Sequence, residues 1–176
     1  MAVIGRDAPT QSATAEREVV ISRIIAGPRE LVFEVFTEVR HLSQWWGPEG
    51  FTITTRAFEF RVGGVWEFVM HGPDGTDYQE WILWTELAPP ERIALLHGES
   101  RDDPNAFESI LTFEPDDDES LTEGGAATRL EMRTVFRTKE LRDEAVEKYH
   151  AVEGGRQTLS KLAAYVTQIV RKKVEE

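Results

Sequence analysis

The sequence contains no cysteine. Disulfide frameworks, zinc–thiolate centres, iron–sulfur clusters and cysteine nucleophiles are excluded with it. No apolar run approaches the roughly 20 residues that a membrane-spanning helix needs. The opening MAVIGRDAPT lacks the basic segment and apolar stretch of a secretory signal, so the expected compartment is the cytoplasm. Positive charge is scarce: 20 Lys and Arg stand against 32 Asp and Glu, for a formal net charge of -12. Such a surface repels phosphate backbones and anionic lipid, so neither nucleic acid nor a membrane surface is an expected partner.

Several chemical signatures are missing as well. The four histidines, His41, His71, His97 and His150, show no H-x-x-x-H or H-E-x-x-H spacing, and no metal is expected. Asp116-Asp117-Asp118 lacks the alternating ligands and closing Glu of an EF-hand loop and reads as a solvated loop. There is no G-x-S-x-G elbow, and a Ser-His-acid triad could be assembled only by choosing its members freely. Arg61-Val62-Gly63-Gly64-Val65 has neither the P-loop Lys-Ser/Thr nor the third Rossmann glycine, and it predicts a tight turn into a strand. No cofactor and no catalytic residue is assigned.

What is present is an ordinary globular composition with a large aromatic load, five Trp and nine Phe in 176 residues. That length suits one domain with a real core. Residues 1–15 are small and polar and predict a flexible arm, leaving 16–172 as the domain. The β-branched run Glu18–Ile25 predicts a strand. Gly27-Pro28 breaks it, and Leu31, Val32, Val35 and Phe36 then recur at helical spacing. A second short helix carries Val39, Leu42, Trp45 and Trp46. From residue 51 the period changes to that of strands: Phe51–Arg56 running on to Phe60, Val65–His71, Tyr78–Leu87, Arg92–His97, Phe107–Phe113 and Ala127–Phe136. Gly72-Pro73-Asp74-Gly75 codes a hairpin, and Pro115–Gly125 an acidic loop.

From Thr138 one apolar stripe runs through Leu141, Ala145, Tyr149 and Val152 to Leu159, Leu162, Val166 and Ile169. Gly154-Gly155 interrupts it at a cost of about 2 kcal/mol relative to alanine. Either the helix breaks there or its backbone approaches something closely. The order of elements is α+β: a curved antiparallel sheet of about six to seven strands around a long C-terminal helix, with two short helices after the first strand. A sheet wrapped on one helix leaves a gap at its end, and the short helices near Trp45 form the natural lid over a cavity.

The residues also resemble the helix-grip, START-like (SRPBCC) superfamily, and within it the group named for the activator of the Hsp90 ATPase. The matching stretches are RIIAGPRELVFEVF (23–36), LSQWWGPEGF (42–51), EFRVGGVW (59–66), MHGPDG (70–75), ELAPPERI (86–93) and GRQTLSKL (155–162). Two positions depart from the family pattern. Glu59 stands where an Asp is usual, and Arg156 follows Gly155 where a Trp is usual, which removes a bulky ring from the terminal helix.

The candidate site is a ligand pocket walled by aromatic and apolar side chains with a few polar handles. Trp66, Phe68 and Met70 share one strand face; Trp81, Leu83 and Leu87 share a face of the next strand, with Tyr78, Glu80, Ile82 and Trp84 on its reverse. Leu95 and His97, then Ser109 and Leu111, then Met132 supply the following strands. Which face points inward is left open by the pattern, because a one-residue bulge reverses it. Trp46 and Phe51 are candidates for the rim and Tyr149 for the helix side; His97, Ser109 and Glu80 are the handles.

The leading reading is a binding domain for a small apolar or aromatic molecule. The resemblance also implies an enzymatic alternative, a polyketide cyclase or aromatase in which Glu80, His97 or Tyr149 supplies an acid or base. No acid and base stand at diagnostic spacing, so binding ranks ahead of catalysis. A third reading is a chaperone partner, as the family's name suggests, although the eukaryotic activator uses an additional N-terminal domain for which this sequence shows no residues. An exposed edge strand would permit a homodimer.

Overall fold

The computed structural model describes residues 13–117 and 125–175. Most of the expected arm and residues 118–124 of the acidic loop lie outside the described residues. A 3-10 turn at Ala15–Arg17 leads into β1 (Glu18–Ile25). Two short helices follow, α1 (Arg29–Glu34) and α2 (Val39–Trp45). The strands are β2 (Thr52–Phe58), β3 (Val65–His71), β4 (Asp77–Ala88), β5 (Arg92–Gly98), β6 (Phe107–Asp116) and β7 (Ala127–Val135). α3 (Lys139–Glu147) and α4 (Ala151–Glu175) close the chain.

The seven strands form one antiparallel sheet in the order β1-β7-β6-β5-β4-β3-β2. Sequential hairpins build β2 through β7, while β1 reaches across to pair with β7, Glu18 opposite Val135. The fold is α+β, a curved sheet gripping a long C-terminal helix. Leu159, Leu162 and Val166 of α4 are buried against it, each contributing about 1.5–3 kcal/mol by leaving water. The short helices cannot persist by propensity. Burial holds them, through Leu31, Val32 and Phe33 of α1 and His41, Leu42 and Trp45 of α2.

The terminal helical stripe divides, but not at the glycines. α3 opens on Thr138, whose side chain accepts the Leu141 amide. It ends near Lys148, and His150 takes a positive φ of 54° before α4 starts. The glycine doublet lies inside the first turns of α4 and serves close approach: a Cβ on Gly155 would stand 2.4 Å from Ile21 Cδ1 and 3.3 Å from Met132 Cε. The RVGG turn is explained in the same terms. Gly63 has φ +83°, and a Cβ on Gly64 would stand 2.2 Å from the Glu59 carbonyl oxygen. Only this geometry lets Gly63 N–H donate to Trp84 O and Trp84 N–H to Gly64 O, pinning the start of β3 to β4.

Candidate functional site

Opposed residues of antiparallel strands share a face, so the register identifies the wall that meets α4. One row crosses the sheet as Trp66, Ile82, His97 and Phe107. Phe68 lies opposite Glu80 in the next row. On the other side run Trp84, Leu95, Ser109 and Thr134, then Ile93, Leu111, Met132 and Ile21. The rings are in mutual contact: Trp66 stacks on Phe68 at 3.9 Å between centroids, and Trp46 meets Trp66 edge-on at 5.0 Å.

Trp46 follows the last residue of α2, and its φ of -66° and ψ of 134° turn the chain out of the helix. Trp45 is buried, its indole N–H donating to Val35 O. Trp46 instead lies over the sheet, touching Trp66, Phe68 and His97. The loop behind it is fastened to α4. Lys161 Nζ donates to the carbonyls of Gly47 and Pro48, and Glu49 N–H donates to Gln157 Oε1. Burial holds the Lys161 ammonium pKa below its usual range.

The polar centre of the wall is His97 and Glu80, 2.7 Å apart between Nε2 and Oε2 and both mostly shielded from solvent. Phe107 packs on the imidazole at 4.8 Å, and Phe68 and Trp46 stand farther off, each 6.4 Å away between ring centroids. Ser109 is buried between Leu95 and Thr134. A further polar atom, the indole N–H of Trp84, is buried without a hydrogen-bond partner.

The structure therefore brings together Trp46, Trp66, Phe68, Leu95, His97, Ser109, Leu111 and Met132 of the candidate set, with Met70 at the end of the wall. Phe51 sits beyond that end, packed on Tyr78 and beside Gly47. Trp81 and Leu83 are corrected: they lie on the opposite face, across from Glu67 and Val65. Their pairing with β3 runs without a shift, so strict alternation with the inward Ile82 and Trp84 turns them outward; a register shift between Trp84 and Glu86 returns Leu87 alone to the inner face, opposite Ile93. Tyr149 is corrected too. It falls in the link between α3 and α4, 65% exposed. The residues missed are Trp84 and Phe107, each legible as an inward partner once the face of β4 is known.

Trp46 covers much of the wall that the expected chamber would expose. Two surface cavities of about 310 and 320 Å³ lie elsewhere, one between α1, α2 and the C-terminal half of α4, the other on the outer face of β5, β6 and β7. Among the described residues no three His, Asp or Glu side chains gather as a metal-ligand set, and no helix is long and apolar enough to cross a membrane.

Comparison with known proteins agrees with this architecture. A crystal structure of a Nitrosomonas europaea protein superimposes with a TM-score of 0.75 at 22% identity, covering 89% of this chain and 98% of that one. A solution structure from Arthrobacter aurescens gives 0.75 at 21%, covering 90% of each chain. The AHSA1 protein of Silicibacter pomeroyi gives 0.67 at 24%, covering 86% and 98%. At such identities the likeness speaks for the fold. No curated protein matches the sequence significantly. The pattern of the activator of Hsp90 ATPase homolog 1-like proteins matches residues 26–167, most of the described chain, and the chain belongs to that family.

Proposed function

We propose that the protein is a cytoplasmic binding domain for a small apolar or aromatic molecule, held on the inner wall between the sheet and α4, with Trp46 as its gate. The observation that carries this reading is the paired His97 and Glu80 set among Trp46, Phe68 and Phe107. A hydrogen-bonding pair walled by rings suits a ligand with an aromatic body and one polar group. The unpartnered indole N–H of Trp84 supports it, because an unsatisfied buried donor costs about 1–3 kcal/mol and an acceptor on a ligand would recover that. Covering some 300 Å² of apolar ligand surface contributes about 7 kcal/mol before association costs, so micromolar binding requires a good fit and a polar handle.

The test is native mass spectrometry of freshly purified protein, before and after denaturing organic extraction. A defined extra mass that extraction removes, and that Trp46→Ala and His97→Gln weaken, is the expected result. No adduct, together with no thermal shift across a panel of phenols, flavonoids and fatty acids, would overturn the reading.

One observation favours a second reading, a cyclase-like enzyme. An acid and a base that are 17 residues apart in sequence meet at 2.7 Å inside an apolar wall, an arrangement able to relay a proton to a bound chain. Turnover of a bound polyketone that Glu80→Gln abolishes while leaving its binding intact would decide for catalysis.

A further inference from the structure

The cavity of about 310 Å³ behind the short helices is separate from the aromatic wall and differs from it in chemistry. Leu31 and Glu34 of α1, Arg40 and His41 of α2, and the face of α4 from Tyr165 to Lys173 line it. On a chain with a formal charge of -12, this lining reverses the sign locally. Arg40, Lys172 and Lys173 stand against the lining carboxylate Glu34 and against Glu38, which pairs with Arg40 beside the cavity.

His41 supplies a second, independent observation. Its side chain is 7% exposed, and Nδ1 lies 2.6 Å from the Tyr165 hydroxyl. Nε2 is buried with no hydrogen-bond partner. The Glu38 carboxylate stands 3.5 Å away, beyond good hydrogen-bond distance, and is already engaged by Arg40 Nε at 2.6 Å. In the tautomer in which Tyr165 donates to Nδ1, the neutral ring carries its proton on Nε2, a donor with no acceptor at good hydrogen-bond distance. Beside these polar groups the wall is apolar, through Leu31 and Ile169.

We propose that this cavity binds a small organic carboxylate, its charged end between Arg40 and Lys172 with a hydrogen bond from His41 Nε2, and its tail on Leu31 and Ile169. A cavity of this volume lies at the small end of ligand pockets, which suits an acid of a few carbons better than a lipid. The apolar wall distinguishes such an acid from inorganic phosphate.

The experiment is a titration of the full chain with sodium hexanoate, hexanamide and inorganic phosphate in turn, read by nitrogen-15 NMR of the imidazoles and backbone amides. Hexanoate is expected to shift the His41 ring nitrogens and the amides from Tyr165 to Lys173 saturably, and to leave His97 in place. Arg40→Gln with Lys172→Gln, both at exposed positions that the fold tolerates, should weaken it about tenfold. Equal binding of hexanamide, phosphate binding as tight as hexanoate, shifts centred on His97, or an unchanged affinity in the double variant would each overturn the proposal.

Discussion

Glu80 and His97 lie diagonally across β4 and β5, their side chains joined at 2.7 Å on the same face that buries Trp66 and Phe68. A polar pair in an apolar wall is held by mutual satisfaction, so each residue depends on the other. A double-mutant cycle with Glu80→Leu and His97→Phe, read by urea denaturation, should return a coupling of about 1–2 kcal/mol. A coupling near zero would mean that the two groups are independently solvated.

Trp66 is fully buried, stacks on Phe68, and donates its indole N–H to Thr55 Oγ1 at 3.1 Å. Trp66→Ala should cost about 3–5 kcal/mol, the range for deleting a large aromatic from a core. Trp66→Phe should recover most of that loss. Equal midpoints for the two variants in chemical denaturation would show that the ring is not packed as described.

Gly64 and Gly75 separate two causes of glycine dependence. A Cβ at Gly64 runs into the Glu59 carbonyl at 2.2 Å, whereas at Gly75, with φ +87°, nothing lies within 4 Å. Gly75→Ala should cost about 1 kcal/mol, from conformation alone. Gly64→Ala must also displace backbone and should cost at least about 2 kcal/mol. The ranking of the two denaturation midpoints tests this.

Burial lowers the His41 pKa, with Arg40 adding to the effect and the Glu38 and Glu34 carboxylates opposing it. The unfolded chain, with a histidine pKa of about 6.5, then binds a proton that the native state resists. This contribution to stability is complete above that value and is lost as pH falls below it toward the depressed native pKa. His41→Gln should therefore be less sensitive than the parent protein to acidification through this window. Parallel stability profiles for the two proteins from pH 7 to pH 5 would contradict that.

Most strands were legible because apolar runs are bounded by turn residues, and the Gly72–Gly75 hairpin ties the Asp74 carboxylate to the Thr76 amide as its composition predicts. The inward face of β4 was not legible. One shift between Trp84 and Glu86 places Leu87 with Trp84 rather than with Leu83, and nothing in the residue types near Thr85 announces it. Tyr149 followed a helical stripe in the sequence, but α3 ends at Glu147, and the link to α4 turns at His150 through a positive φ rather than a glycine or proline. The meeting of His97 with Glu80 was likewise invisible to spacing, because it depends on the register of two strands.

The strand order has a consequence for how the chain is made. β1 is made before the other strands of this sheet, yet among the described residues its one neighbour is β7, and Glu18 waits for Val135. During translation β1 therefore leaves the ribosome with both edges bare, while β2 to β6 can close as successive local hairpins. The most distant pairing carries the largest loop-closure cost and should be the last to form. Pulse-labelled amide exchange during refolding would then show β3 and β4 protected before β1.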